Sequence, residues 1–313
     1  MRSDGARAAI LCGGLLLAAC APMPAAAPED ARPPPRGATA AAPPAAGQSA
    51  AIAAYFARVE ASLKSRGLMR TDGGGPDTPW GPRELAETFV RIALYDEYSL
   101  ADGRFVARET PAPLRRWAAP VRIGLRFGAS VPAAQQARDR AAVIAYADRL
   151  SRLTGHPIRV TDTSPNFWVY VVGEGERRQL APEWTTLFAG VRPADFRAVT
   201  EMDLRTFCLV LAISEGDAAV YSGALAVIRA ELPDALRLSC FHEEIAQGLG
   251  LANDSPRARP SIFNDDEEFA LLTRLDEAML RILYDPRLRP GMREAEARPI
   301  VETIAAELMP GGS

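Results

Sequence analysis

The sequence predicts an α+β fold: a mixed sheet with one long early helix, followed by helices after the last strand. Three observations predict it. Segments with the two-residue period of half-buried strands alternate with helical segments between residues 121 and 228. The chain beyond residue 231 is helical in pattern. No internal repeat and no phosphate-binding glycine loop is present.

The elements follow in order. Residues 49–66 put Ile52, Tyr55, Phe56 and Val59 on one helical stripe, which the break Asp72-Gly73-Gly74-Gly75-Pro76 follows. Residues 82–95 read as a second helix, with Pro82 suited to a first turn. Together they make an expected helical prelude, residues 48–115, to an α+β domain, residues 116–313. In that domain residues 121–127 alternate apolar with polar or Gly, the pattern of a half-buried strand. Residues 132–153 carry Val143, Ala147 and Leu150 at helical spacing and form the long helix. Residues 158–160 and 167–172 are further strands, and residues 219–228 are expected at the sheet's edge. A helix lies within 231–248, and residues 267–283 are amphipathic, with Leu272, Leu275, Met279 and Ile282 on one stripe. The run Asn264-Asp265-Asp266-Glu267-Glu268 lacks the ligand spacing of an EF-hand loop, so its expected role is to cap that helix. Residues 294–308 close the chain as a helix.

The first 47 residues have a different character. Arg2 and Arg7 precede an apolar run of 12 residues, 8–19, which matches a secretory signal and is too short to span a bilayer. The run ends in Leu17-Ala18-Ala19-Cys20, which resembles the lipobox of bacterial lipoproteins. That resemblance implies a signal peptide over 1–19, lipid on Cys20 and attachment to the membrane of the cell envelope. Ala21, in place of Asp, implies delivery to the outer membrane, with the protein facing the periplasm. Of the 27 residues in 21–47, 19 are Ala or Pro, a composition without the large apolar groups a core needs; residues 20–47 are expected to be a lipid-anchored tether. Without the first 19 residues the chain has 34 basic and 38 acidic side chains, a mildly acidic balance that gives no case for nucleic acid. Beyond Cys20 only Cys208 and Cys240 remain, either paired as a disulfide in an oxidising compartment or kept as two buried thiols.

The most informative segment is Cys240-Phe241-His242-Glu243-Glu244-Ile245-Ala246-Gln247-Gly248-Leu249-Gly250-Leu251-Ala252-Asn253-Asp254. Read from His242-Glu243, a zinc-protease motif fails, because Ala246 stands where the second imidazole must be. Shifted by one residue, the segment resembles the metzincin motif: Glu243, Gln247 and Asn253 at the three ligand positions, Glu244 at the general-base position and Gly250 at the turn. Glu243 and Gln247 share a helix face at i,i+4, while Phe241, Ile245 and Leu249 form a stripe roughly opposite. Ser261-Ile262-Phe263 is similar to the metzincin Met-turn, with Phe263 in place of Met. The resemblance implies a zincin-like fold with a degenerate active-site helix. The alternative is a core helix ended by Gly250, with Glu243 and Gln247 merely solvated.

The block from Cys240 to Met292, with Asn264-Asp265-Asp266 and Tyr284-Asp285-Pro286-Arg287-Leu288, also resembles the exported bacterial family of Domain of Unknown Function 2927, over about two thirds of the chain. That family has no assigned reaction, so the resemblance implies a fold and a location only.

The ligand chemistry points away from zinc. A carboxylate and two amides offer oxygens, which suit Ca²⁺ better than Zn²⁺, and only Asp254 beside Glu243 adds a further oxygen donor. With two histidines in the chain, His156 and His242, no three-histidine site exists. Arg287 is a candidate salt-bridge partner for the carboxylate cluster. The expected function is a non-catalytic protease-like module that binds an extended peptide or an envelope protein. The alternatives are a hydrolase using Glu244 as general base, with an oxygen-ligated metal or none, and a scaffold whose motif is packing.

Overall fold

The computed structural model describes residues 46–309 apart from 102–103, 189 and 265. The signal, Cys20 and nearly all of the tether lie outside them. No described helix is long and apolar enough to cross a membrane.

Helices α1 (Ala46–Ser65) and α2 (Pro82–Ala93) are packed into the main core through Ile52, Phe56, Leu63, Leu85 and Phe89. Pro82 opens α2, and the Glu84 carboxylate accepts the Gly81 N–H at 3.1 Å. The prelude is not wholly helical. Strands β1 (Tyr95–Ala101) and β2 (Arg104–Pro111) form an antiparallel hairpin. The signal for it is Asp102-Gly103 between two strand-forming runs.

The large sheet has six strands: β3 (Arg116–Trp117), β4 (Val121–Phe127), β5 (Ile158–Val160), β6 (Phe167–Val172), β7 (Cys208–Ser214) and β8 (Val220–Arg229). Strands β5, β4, β6 and β8 lie side by side in that order, all parallel, with β3 parallel to the start of β8. Strand β7 runs antiparallel along β8, and among the described residues it pairs with nothing else. The edge expected at 219–228 is therefore wrong: β8 pairs with β6 along one side and β7 along the other. Its run from Gly223 to Arg229 is wholly buried, which is how an interior strand reads.

Between the strands come the long helix α3 (Ala133–Thr154) and the short helices α4 (Glu174–Arg177), α5 (Ala181–Leu187) and α6 (Arg197–Thr200). Helices α7 (Asp234–Gln247), α8 (Arg274–Leu283) and α9 (Glu294–Leu308) complete the chain. Alternation along β6 sends Phe167, Val169 and Val171 into the main core, and Trp168, Tyr170 and Val172 into a second cluster with Trp184, Phe188 and Phe196.

Helix α8 starts seven residues later than its amphipathic pattern implies. Thr273 is its N-cap, with the Thr273 hydroxyl accepting Asp276 N–H at 3.2 Å and Asp276 accepting Thr273 N–H at 2.8 Å. The acidic run does not cap it. Asp265 lies outside the described residues, Glu267 has φ of 59°, and Glu268 pairs with Arg70 at 3.1 Å and Arg259 at 2.6 Å.

Where β6 and β8 end, the Glu174 carboxylate lies between Arg177 and Arg229, both fully buried. Apart from Arg177 Nε, which has no hydrogen-bond partner among the described residues, their guanidiniums also donate to the carbonyls of Val199 in α6 and of Met202, Asp203 and Thr206 on the segment that leads into β7. Burial pushes the Glu174 carboxyl upward, but hydrogen bonds from Arg177 and Arg178 and the charge of Arg229 outweigh it and hold it below the usual range. Glu174→Gln keeps the shape and removes the charge that faces both guanidiniums. We expect urea unfolding to show a loss of about 3–5 kcal/mol; a change under about 1 kcal/mol would contradict this account.

Candidate functional site

Helix α7 turns Leu236, Phe241 and Ile245 into the core. Cys240 faces β7, and the structure joins it to Cys208 in a disulfide with Cα atoms 5.9 Å apart. One turn on from Cys240 come Glu243 and Glu244, then Gln247. These three side chains line a groove of about 1330 Å³ whose other wall is β7. Glu243 is half-buried and Glu244 buried. Their carboxylate oxygens and the Cys208 sulfur lie within 4.8 Å of one another.

The helix ends where the sequence requires it. The Trp117 indole N–H donates to Gly248 O at 2.8 Å, closing the C-terminal end of α7. Gly250 has φ of 131°, and a Cβ there would lie 2.3 Å from the Arg115 carbonyl oxygen. The turn brings Asp254 back into the groove, where the Gln247 amide donates to both of its oxygens at 3.1 and 3.2 Å.

Of the four expected metal ligands, Glu243, Gln247 and Asp254 thus share the groove and Asn253 does not. Asn253 is buried against α2, its amide donating to Arg91 O at 2.9 Å and its main-chain N–H to Ile92 O at 3.1 Å. Those carbonyls belong to the last turn of α2, which has no helical partners for them, so Asn253 caps a helix rather than facing a cation.

His242 points to the other side of α7. Its ring stacks on Tyr146 with centroids 4.0 Å apart, and Nδ1 accepts the Leu272 N–H at 3.0 Å. Burial, with the Arg149 charge adding to it, takes its pKa down to about 3. His156 is apart from the groove, bonded through Nε2 to Ala119 O at 2.9 Å. Ser261-Ile262-Phe263 is a buried turn organised by α8: Asp276 accepts from Ser261 Oγ at 2.6 Å and Ile262 N at 3.1 Å. Arg287 pairs with Asp285 at 2.9 Å and Glu307 at 2.7 Å, bracing α9 rather than the carboxylate cluster.

The donors do not fit zinc. No imidazole faces the groove among the described residues, the Cys208 sulfur is committed to a disulfide, and Gln247 offers only a neutral amide oxygen. What sequence reasoning missed is β7, whose Cys208-Leu209-Val210-Leu211-Ala212-Ile213-Ser214 lacks the alternation of an exposed edge. Its Leu209, Leu211 and Ile213 pack on the second cluster while Cys208 and Val210 pack on the main core, so both faces are apolar.

Fold and site together define a mixed α+β domain in which an acidic helix and an antiparallel edge strand face each other across a groove. The chain belongs to the family described as "Protein of unknown function (DUF2927)", which matches residues 82–303. No curated protein and no solved structure matches it.

Two substitutions test this account. Gly250→Ala meets both a left-handed backbone and the Arg115 carbonyl, so unfolding should show a loss of about 3 kcal/mol or more. His242 stays neutral in the fold down to about pH 3 but ionises near 6.5 when unfolded. Between those values the unfolded chain holds the extra proton, so stability falls as pH falls from 6.5. His242→Asn keeps an acceptor for Leu272 N–H and removes the titration. Its stability should lose about 1.4 kcal/mol less per pH unit than wild type between pH 6 and 4; parallel curves would show that His242 is not neutral there.

Proposed function

We propose that this is a lipid-anchored protein of the bacterial envelope whose domain keeps a metzincin-like frame and binds an extended peptide or protein segment without cleaving it. The observation that carries the binding reading is the groove between β7 and α7. A segment laid along β7 gains main-chain hydrogen bonds as an added strand, the way an exposed sheet edge takes a peptide. Seven residues of strand offer roughly 24 Å of such edge. The frame is supported by the element order: strand, long helix, two strands, antiparallel edge strand, interior strand, then the motif helix. The non-catalytic reading is supported by the donor set. Without an imidazole set to hold Zn²⁺, whose charge is what brings a bound water near neutral pKa, Glu244 would have to act on free water, toward which a carboxylate is a weak base. A hard cation such as Ca²⁺ matches the oxygens of Glu243 and Asp254 in kind.

The anchor and location rest on Leu17-Ala18-Ala19-Cys20 and the apolar run before it. Cys20→Ser should move the protein from the membrane to the soluble fraction.

Binding is tested by hydrogen exchange on purified protein with a pool of extended peptides. The amides of Cys208–Ser214 should exchange more slowly with peptide, the peptides should stay intact, and elemental analysis should find no stoichiometric zinc. One zinc per chain, with cleavage lost in Glu244→Gln, would instead make the protein a hydrolase. Calcium without cleavage fits the binding reading.

A further inference from the structure

We infer that a second cleft, where α2, α8 and α9 pack on one another, is a binding site for a small carboxylate that carries an apolar body. The inference does not rest on the groove beside β7. Two observations carry it.

The first is apolar surface left open in a concave place. The cleft has a volume of about 510 Å³, within the range of small-ligand sites. Trp80, on the approach to α2, and Leu308 and Met309, at the end of α9, line it together with Ala278 of α8. Trp80, Leu308 and Met309 pack against the main core but are only half-buried, so part of an indole, an isobutyl group and a thioether chain remains for an occupant. Met309 can adjust its shape to what enters, because its chain is unbranched.

The second is a pair of cations with nothing to answer them. Arg274 and Arg281 stand seven residues apart on α8, on the same face and about 10 Å apart along its axis. Both are exposed and both line the cleft. Among the described residues neither guanidinium has an ion-pair, hydrogen-bond or ring partner. The one carboxylate among the described lining residues, Glu277, is already engaged from α3: its Oε1 accepts Arg149 Nε at 3.0 Å and Nη2 at 2.8 Å. The lining therefore offers two uncompensated positive charges beside apolar surface.

These two features act on one molecule. A guanidinium presents two parallel N–H donors to a carboxylate, and the bonds strengthen where neighbouring apolar groups exclude water. An anion without an apolar part would be held as weakly as an exposed ion pair. An apolar molecule without a charge would gain burial and no orientation. A ligand with both takes its carboxylate to Arg274 or Arg281, at the ends of the lining stripe and away from Glu277, and lays its apolar part across Ala278 against Trp80 and Met309.

The test uses the full-length chain with Cys20→Ser, to keep detergent out of the assay, and three probes of one chain length: octanoate, octanol and octylammonium. Isothermal titration calorimetry at low salt should give octanoate roughly tenfold higher affinity than octanol, with octylammonium weakest. The octanoate advantage should shrink in 0.5 M salt, where charges are screened within a few ångströms. Arg274→Gln with Arg281→Gln keeps the helix propensity of α8 and should remove the advantage. The octanol affinity of that double variant should be unchanged, which also reports that the cleft is intact. Trp80→Ala should weaken octanoate and octanol alike. Equal affinity for octanoate and octanol overturns the inference, as does an advantage that survives in the double variant or no binding of any probe. Octanoate that binds only on dilution of the protein would place a second copy in the cleft and overturn it too.

Discussion

The carboxylate of Glu174 sits between the guanidiniums of Arg177 and Arg229, and the path of the chain into β7 follows from that contact. Two buried cations cost far less when an anion faces them and most of their remaining N–H groups find acceptors. Here the acceptors are carbonyls of α6 and of the segment between it and β7, so these hydrogen bonds hold that stretch in place. Strand β7 is thereby delivered antiparallel onto β8, and the groove has its second wall. A requirement of the interior thus sets the shape of the surface where the candidate site lies.

Much of this was legible in the sequence, and what was not has physical reasons. Strands β4, β5 and β6 and helix α3 announce themselves because their neighbours are covered on predictable faces. Periodicity identifies β8 as a strand yet says nothing of its place in the sheet, so it was expected at the edge. The Glu174–Arg229 pair is 55 residues apart in sequence and leaves no local pattern. The start of α8 was misjudged because an apolar stripe continues past a helix end, whereas the Thr273–Asp276 box that sets the end is two residue types among many.

The candidate site shows the same division. Spacing of three and four residues is enough to place Glu243, Glu244 and Gln247 on one face of α7, and the turn at Gly250 is enough to return Asp254 to it. Asn253 was misassigned because a carboxamide beyond a sharp turn suits two tasks equally well, holding a cation or closing a helix end. Only the position of α2 decides between them, and the Arg91 and Ile92 carbonyls decide for closure. Residues that in a metalloprotease frame would gather ligands here hold secondary structure together. The same holds for His242, whose acceptor nitrogen is used by Leu272 N–H.

The Cys208–Cys240 bridge joins residues 32 apart in sequence, a loop that contains all of β8 and the remainder of β7. In a chain-entropy treatment a loop of that size removes about 3.7 kcal/mol of freedom from the unfolded chain at 25 °C. Its further effect is mechanical. One end lies on each wall of the groove, so the distance between the walls is set by covalent bonds before anything enters. A segment bound as proposed would use none of its interaction energy on drawing the walls together. An uncrosslinked chain has to hold the same width by packing alone.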